Sequence, residues 1–502
     1  MKSKYIKYLL ATGLITLATY SSCNKDVLNI DAPLVTEGAF FNTAAEFKTA
    51  VVGTYAGLSD YYGTSSGGNA NVQVFFLPGD DLTVSNNDFE LFSGISTSNG
   101  RLSSLFGRSY VTISRANKVL TKLSTVRDGI LTTAEKNNMQ GEMLFVRGFV
   151  HYMLWNIFGT APILNKEITS LNEPGLSSTT GTQLLDQAIA DFTAAAPLLP
   201  PSWPTTDVGR ITANSAYGML GKTLVFKGSI TKVVSDFTAA IAAFDKIAGA
   251  ELVPFGDNFD YLKENNKESI FEFQAGLHRK AEGEGNPWLA NDETDIGSAG
   301  FYTTMFQGGC ADYMGGGRYY ATEKLKTALA PEDPRRALTL SEDGTRIQKY
   351  LFSNKTEGGC DALSYNNYRI LRYADVLLLK AEAIVKSGGS PAAAIGLINQ
   401  VRSRARAITG SAFPADLNAA ETNTTTIKQW IRDERFVELA AEGQRWFDIK
   451  RWQQEGEITL DNAFFSSRNA TQIDFKAPKN LYFPIPTSET TRNPNITPNP
   501  NY

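Results

Sequence analysis

The sequence contains very little histidine. Its 502 residues include two, His151 and His278, and neither has a second histidine or a cysteine at metal-ligand spacing. A histidine-based zinc site and a Ser-His-Asp nucleophile are therefore poorly supported, and we expect no metal, no other cofactor and no catalytic residue. We interpret His151 as a satisfied core residue of an aromatic helix and His278 as a solvated surface residue.

The sequence also lacks a hydrophobic run long enough to cross a membrane. Its longest apolar run, residues 8–20, follows a lysine-rich start and precedes Ser21, Ser22 and Cys23. A transmembrane helix needs about 20 apolar residues, whereas this order of basic, apolar and small residues is typical of a signal peptide. We therefore predict a signal peptide over residues 1–22 and no transmembrane helix in the mature chain.

Cysteine is scarce, and the first of the three cysteines decides how the mature chain is held. The segment from Tyr20 to Cys23 resembles a lipobox, although the usual Leu three residues before the cysteine is missing. Lipoprotein maturation would attach acyl chains that anchor the protein permanently, and the alternative is a plain secreted protein. We expect lipidation at Cys23, a lipidated N terminus and tether over residues 23–39, and a domain over residues 40–502.

The two remaining cysteines, Cys310 and Cys360, each follow a Gly-Gly pair in a polar segment. An even number of cysteines in an exported protein permits a disulfide. A bridge between Cys310 and Cys360 and two unpaired thiols are both compatible with the sequence, because nothing in it indicates that the two segments meet.

Positive charge is not in excess, since 48 Lys and Arg residues stand against 52 Asp and Glu residues, a formal net charge of −4. A protein with this balance has no global attraction to a phosphate backbone. We therefore do not expect a nucleic-acid partner.

The sequence is rich in helical periodicity with recognisable helix starts and stops. Thr132 with Glu135 is a capping-box pattern that begins a helix ending at Gly159. A second helix is expected from near Thr212 to Gly228, and two more, over residues 373–386 and 390–407, are joined through a Gly-Gly turn. Their length is near that of a tetratricopeptide unit. The predicted fold class is mainly α, a tetratricopeptide-like helix-pair scaffold with long irregular ligand-binding loops in a single domain.

Several motifs of the second half, taken together, resemble the SusD/RagB family of nutrient-binding outer-membrane lipoproteins. The motifs are RYADVLLLKAEA at 372–383, INQVR at 398–402, IRDER at 431–435, EGQRWFDIKRW at 442–452, FPIP at 483–486 and NPN at 493–495. The resemblance implies a lipid-anchored protein at the cell surface of the outer membrane, capping a SusC-like TonB-dependent transporter. It further implies binding of oligosaccharides, or in some members of peptides, without cleavage.

We interpret the motif residues themselves as structural. Trp446, Phe447, Ile449 and Trp452 fall mostly on one helical face and are expected in the core. Three charged residues of the IRDER region, Arg432, Glu434 and Glu438, are expected to form ion pairs across adjacent helical turns.

Two long segments, residues 59–100 and 276–320, are loop-like, aromatic and rich in Asn, Asp and Gly, and long loops of this kind are often functional. Sugars present flat C–H faces and polar edges, so a glycan site needs exposed aromatic rings beside amide or carboxylate groups. Phe75, Phe76 and Phe306 look like core residues. The predicted ligand-binding residues are Trp288, Tyr302, Tyr313, Tyr319, Phe89, Asn86, Asn87 and Asn291.

Other functions remain open on the sequence. A glycoside hydrolase needs only two suitably spaced carboxylates. Candidates for that pair are Asp80, Asp81, Asp292, Glu293, Asp295, Glu282 and Glu284. A protein-interaction scaffold would use the helix pairs but leave the aromatic loops without a role. Because any acidic protein offers such carboxylates, and because a scaffold leaves the aromatic loops unexplained, we interpret the chain as a non-enzymatic binding protein.

Replacing Cys23 by Ala should release the protein from the membrane, because no other segment is apolar and long enough to hold it there. Radiolabelled palmitate feeding followed by membrane fractionation checks this, with Cys310→Ala as the control that should keep both label and anchoring. Label or anchoring that persists in the Cys23→Ala variant would contradict lipidation at that residue.

Overall fold

The computed structural model describes residues 40–62, 71–84, 87–170, 173, 175–275, 319–350, 366–468, 472–500 and 502. Internal contacts divide the chain into a short N-terminal unit, Met1–Phe47, and a large unit, Lys48–Tyr502. The signal peptide, the tether with Cys23, and the pair Cys310 and Cys360 lie outside the described residues and stay predictions. No helix in the described ranges is both long and apolar enough to cross a membrane.

The described residues are mainly helical, as predicted. The α-helices in chain order are α1 Ala44–Tyr55, α2 Ser59–Tyr62, α3 Gln73–Phe76, α4 Asp88–Leu91, α5 Gly100–Ser124, α6 Thr133–Phe158, α7 Gln183–Ala195, α8 Ala213–Thr231, α9 Val234–Phe244, α10 Glu323–Ala328, α11 Arg336–Thr339, α12 Tyr373–Lys386, α13 Pro391–Arg406, α14 Thr424–Glu438, α15 Arg445–Glu455 and α16 Thr487–Arg492. The strands are β1 Leu82–Thr83, β2 Ser269–Phe273, β3 Tyr320–Ala321 and β4 Tyr368–Arg372. Short 3-10 segments occur at Ala56–Leu58, Ala196–Leu198, Thr205–Asp207, Phe255–Phe259, Tyr261–Lys263 and Lys479–Leu481.

The N-terminal unit is described from Phe40 onward. The ring of Phe41 contacts those of Phe40 and Phe47, with centroids 4.8 and 5.0 Å away. The carboxylate of Glu46 accepts hydrogen bonds from the backbone N–H groups of Asn42 (2.6 Å) and Thr43 (2.9 Å). These bonds satisfy donors that would otherwise have no partner ahead of the first turn of α1.

The helix starts predicted from capping patterns are confirmed. The Thr132 hydroxyl accepts from the backbone N–H of Glu135, whose carboxylate accepts from the N–H of Thr132, and α6 ends at Gly159 with φ of 73°. Helix α8 begins after Thr212 but continues past the predicted stop at Gly228. Gly228 does not end the helix; a Cβ there would lie 2.8 Å from the Phe237 ring, so glycine instead permits close packing of α8 on α9.

Helices that follow one another along the chain pack against one another. Helix α5 packs on α6, α6 on α7, α7 on α8, α8 on α9, and α12 on α13. Repeat scaffolds bury the apolar face of each unit in this way. Ser390 caps α13 by accepting from the N–H of Ala393, Pro391 occupies its first turn, and Ala381 and Ala394 are fully buried between α12 and α13.

The strands form two short antiparallel pairs rather than a central sheet. Strand β1 pairs with β3, and β2 pairs with β4 through a register that contains irregularities. His151 is fully buried, so its predicted core position is confirmed. Its Nδ1 lies 2.9 Å from the Arg147 carbonyl oxygen, but its Nε2 has no hydrogen-bond partner among the described residues, so the prediction that the side chain is satisfied is wrong.

A buried ion network centres on Arg372, the last residue of β4. Its guanidinium forms ion pairs with Glu268 at 2.8 Å, Glu438 at 2.6 Å and Glu442 at 2.8 Å. Glu438 also pairs with Arg335 at 2.9 Å, and all five side chains are almost completely buried. Buried charges persist in a fold only when they are paired, so these contacts fix the relative positions of four separate chain segments.

The ion pairs predicted within the IRDER region are wrong. Glu434 pairs with Arg335 at 2.5 Å and Arg432 pairs with Glu457 at 2.8 Å, while Glu438 faces Arg372. The acidic side chains point into the interior, where guanidinium groups from other segments are closer than those on the same helix. The predicted core role of the adjacent aromatic motif is confirmed, since its members are buried: Trp446, Phe447, Ile449 and Trp452.

Replacing Glu438 by Gln should lower the free energy of unfolding by about 3–5 kcal/mol, because it leaves buried guanidinium groups without a counter-charge. Urea unfolding at pH 7 measures this. The control is Glu251→Gln, since Glu251 pairs with Lys267 in an exposed position and exposed pairs contribute about 1 kcal/mol or less. Equal losses in both variants would contradict a special role for the buried network.

The pH dependence of Glu438 has a definite sign. Burial alone would raise its pKa, but Arg404, Arg372 and Arg335 outweigh burial and hold the pKa below its usual value. Its stabilising contribution is therefore present above the unfolded-state pKa of about 4.3 and is lost as the pH falls toward the lower folded-state value. The free energy of unfolding of the Glu438→Gln variant, measured by urea unfolding at a series of acidic pH values, should therefore fall less steeply with decreasing pH than that of wild type.

Candidate functional site

The two loop regions singled out in the sequence meet where β1 pairs with β3. Leu82 faces Ala321 and Thr83 faces Tyr320 across this pairing. A further bridge joins Tyr320 to Arg346. Tyr320 therefore lies between two other chain segments, at the point where residues 276–318 end in the sequence.

A cleft of about 570 Å³ lies beside this pairing, and we call it the Tyr320 cleft. Its lining residues come from four segments and are Thr83, Tyr320, Ala321, Thr322, Glu323, Lys326, Asp343, Thr345, Arg346, Ser466, Ser467 and Arg468. Its volume falls in the range typical of small-molecule sites, about 300–1,000 Å³. The lining combines one aromatic ring with hydroxyl, carboxylate and cationic groups.

The two cationic side chains Lys326 and Arg346 of the cleft differ in their ion pairing. Lys326 pairs with Glu323 at 2.7 Å. Arg346 is exposed and forms no ion pair with any residue that the structure describes. Among the described residues, the exposed guanidinium of Arg346 thus keeps N–H donors that no carboxylate accepts.

A tight turn fixes the carboxylate of Asp343. Its Oδ1 accepts from the Ser341 hydroxyl (2.5 Å), the Thr345 N–H (3.0 Å) and the Thr345 hydroxyl (2.8 Å). These hydrogen bonds, the one from Ser341 first, lower the pKa of Asp343 to about 2. Gly344 supplies the positive φ of 74° that the turn needs. Asp343 therefore presents a fixed negative charge at neutral pH.

Arg468 ties its side of the cleft to the residues that flank β1. This buried guanidinium donates to the carbonyl oxygens of Pro78, Gly79 and Glu90. Burial lowers the pKa of Arg468 to about 10. Because Glu90 also accepts from Thr83 and from the N–H of Val84, the strand that faces Tyr320 is held on both sides.

The carboxylate pair Asp80 and Asp81, a candidate for hydrolysis, is part of the interior. Asp80 is fully buried and accepts from Arg445 Nε and Lys324 Nζ, both at 2.5 Å. Asp81 accepts from the N–H of Ala441 at 2.9 Å, and burial raises its pKa to about 6. Both carboxylates are occupied by protein groups and have no access for a substrate. The other candidate carboxylates lie outside the described residues.

Two predicted aromatic platforms are incorrect. Phe89 and Tyr319 are only 2% and 1% exposed, and Phe89 packs edge-on against Phe483 with ring centroids 5.2 Å apart. Neither ring is therefore available to stack on a ligand. The core role predicted for Phe75 and Phe76 is confirmed, and the neighbouring rings of this region are buried as well: Tyr61, Tyr62 and Phe92.

The remaining predicted site residues have different outcomes. Asn87 is half-buried and caps α4, where its side chain accepts from the N–H of Phe89 and donates to Gln73 Oε1. Five residues lie outside the described part of the chain and stay predictions: Trp288, Tyr302, Tyr313, Asn86 and Asn291.

Sequence reasoning missed the polar groups of the cleft. Asp343 and Arg346 lie in one turn, whereas Thr83 and Ser466 are far from that turn in the chain, and nothing local marks these segments as neighbours. The one available signal was Asp343-Gly344, a dipeptide typical of tight turns between strands.

Within the described residues, no group of three or more His, Cys, Asp or Glu side chains could hold a metal ion.

Comparisons with known proteins agree with this fold. A family model described as "SusD family" matches residues 300–502, and one described as "Starch-binding associating with outer membrane" matches residues 41–224. SusD-like protein P2 of Formosa agariphila is 25% identical, with 97% of each chain covered. These matches together span most of the sequence.

Solved structures show the same architecture. A SusD superfamily protein from Bacteroides vulgatus is 25% identical, with a TM-score of 0.70 over 92% of this chain and 100% of the other. A laminarin-binding SusD-like protein is 21% identical, with a TM-score of 0.71 over 92% of this chain and 100% of the other. The helix-pair scaffold is thus that of the SusD superfamily. The chain belongs to the SusD/RagB family.

Proposed function

We propose that this protein binds an oligosaccharide nutrient at the cell surface and delivers it, without cleaving it, to a SusC-like TonB-dependent transporter. The observation that carries the proposal is the Tyr320 cleft, where an aromatic ring borders fixed polar groups at the junction of two loop regions. The names of similar proteins support a glycan, since one binds laminarin and one matching family is described as starch-binding.

The chemistry of the cleft suits a hydroxyl-rich ligand. The half-buried Tyr320 ring offers an apolar face for the C–H face of a sugar. Asp343 accepts hydrogen bonds from sugar hydroxyls, and Arg346 donates to ring or hydroxyl oxygens. The acceptor and the donor both belong to the turn at residues 343–346, which is bridged to Tyr320. A ring on one segment and hydrogen-bonding groups on the other select the orientation of a ligand as well as its composition.

The expected affinity is modest. Stacking one ring hides roughly 50–100 Å² of apolar area, which contributes about 1–2.5 kcal/mol at 25 cal/mol/Å². Association must overcome at least about 4 kcal/mol of lost rigid-body freedom. Two or three platforms with a few hydrogen bonds then give dissociation constants from about millimolar to tens of micromolar. Weak binding suits a protein that passes its ligand to a transporter.

Further platforms are proposed in the segment that leads into the cleft along the chain. Trp288, Tyr302 and Tyr313 remain our candidates for stacking, and Asn86 and Asn291 for hydroxyl recognition. A lipid anchor at Cys23 would keep the whole assembly at the outer-membrane surface.

Replacing Tyr320 by Ala should weaken oligosaccharide binding by the soluble domain between about five- and seventy-fold, the equivalent of about 1–2.5 kcal/mol. Calorimetric titration against a panel of laminarin- and starch-derived oligosaccharides, with peptides in parallel, measures this. The control is Tyr261→Ala, a half-buried tyrosine that does not line the cleft, which should bind as wild type does.

Three outcomes would count against the proposal. Unchanged affinity in Tyr320→Ala would exclude this cleft as the site. Binding of peptides but of no oligosaccharide would show that the ligand is a peptide and not a glycan. Cleavage products after long incubation would contradict a non-enzymatic role.

Gentle affinity purification from native membranes should recover the protein together with a large outer-membrane barrel transporter. The predicted lipid tether and the family resemblance both support such a partner. The Cys23→Ala variant, expressed in the same cells, tests whether anchoring is needed for this association. Recovery of the anchored protein without a barrel would favour an independent surface binder.

A further inference from the structure

A second cleft of about 380 Å³ surrounds Trp203 and shares no lining residue with the Tyr320 cleft. It lies among the loop before α8, the start of that helix and the strand β2. We call it the Trp203 cleft. Trp203 is half-buried, so part of its ring faces the cleft or solvent while part is packed on the protein.

The Trp203 ring is held in one orientation. Its Nε1–H donates to the carbonyl oxygen of Ile211 at 2.9 Å, and the Arg210 guanidinium lies 3.8 Å from the ring centroid. Arg210 is in turn fixed by Glu142, at 2.8 and 2.7 Å, and by Asp207, at 2.9 Å. A ring whose position is set before binding loses little side-chain entropy when a ligand stacks on it.

The charged groups that line the Trp203 cleft are already paired. Arg210 pairs with Glu142, and Lys267 pairs with Glu251 at 3.0 Å. The carboxylate of Glu272 lies 3.1 Å from Arg369. The cleft therefore offers no charge that is without a counter-charge, and a charged ligand would gain little there.

The other polar groups of the cleft are neutral amides and hydroxyls. Asn214 exchanges two hydrogen bonds with the backbone of Ala248, at 2.8 and 3.1 Å, and Asn265 exchanges two with Gln274, at 2.9 and 3.0 Å. These bonds fix the amides but leave each with a second N–H and a second oxygen lone pair. Paired donors and acceptors of this kind match the hydroxyl groups of a sugar.

We propose that the Trp203 cleft is a second carbohydrate-binding site, which takes a neutral sugar unit with one ring face stacked on Trp203. The proposal rests on the proposed glycan binding only for the class of ligand, since its residues are different. A chain with two sites binds a polysaccharide at two points when the glycan spans both. Such a protein retains long chains better than short ones.

The test follows Trp203 directly, by ¹⁹F NMR on protein labelled with 5-fluorotryptophan. The Trp203 signal is the one missing from Trp203→Phe, and it should shift when neutral laminarin- or starch-derived oligosaccharides are added. When Trp203→Ala is added to the Tyr320→Ala variant, the remaining affinity for oligosaccharide, measured by calorimetric titration, should fall about five-fold or more. Trp430→Ala is the control, because Trp430 is partly buried against the core of α12–α14 and lines neither cleft.

The possible failures are distinguishable. Glycan binding that depends on Tyr320, with a Trp203 signal that stays unshifted, overturns the second site and leaves the proposed function intact. The absence of binding to every glycan overturns both. Were Trp203→Ala to lose its fold, the ¹⁹F signal of Trp203 in the Tyr320→Ala variant would still decide the question, because a signal that stays unshifted when glycan is added overturns the second site.

Discussion

The buried guanidinium of Arg372 is the constraint on which the second half of the molecule depends. Removing a charge from water costs several kcal/mol, and only close counter-charges and hydrogen bonds offset that cost. Arg372 is paired with Glu268, which precedes β2, and with Glu438 and Glu442, at the end of α14 and in the turn that follows it. The carboxylates also serve other cations, Glu438 serving Arg404 and Glu442 serving Lys349, so no segment can move without leaving a buried charge unpaired.

The same network reaches the Tyr320 cleft through the turn that follows α14. The N–H of Ala441 in this turn donates to Asp81, and Arg445 just beyond it pairs with Asp80. These two aspartates directly precede β1, which pairs with the strand that carries Tyr320. A residue pair that resembles a catalytic dyad in the sequence is therefore a structural tie between the ion network and the cleft.

The two clefts differ in the kind of polar group that they present. The Tyr320 cleft contains the exposed Arg346 and the fixed carboxylate of Asp343, whereas the charges around the Trp203 cleft are paired. The first cleft can therefore discriminate among ligands by charge and by hydrogen bonding. The second presents a rigid indole and neutral amides, a combination that would tolerate many neutral sugars at the proposed site.

The sequence by itself determined the helix-pair scaffold, because capping boxes such as Thr132 with Glu135 and glycine stops such as Gly159 are local signals that act within one or two turns. Which rings face a ligand was decided by tertiary structure. Phe89 has a polar, loop-like local sequence, yet the distant Phe483 covers it. The cleft around Tyr320 is assembled from remote segments by strand pairing and buried ion pairs, and such contacts between distant residues leave no mark on the local sequence that supplies them.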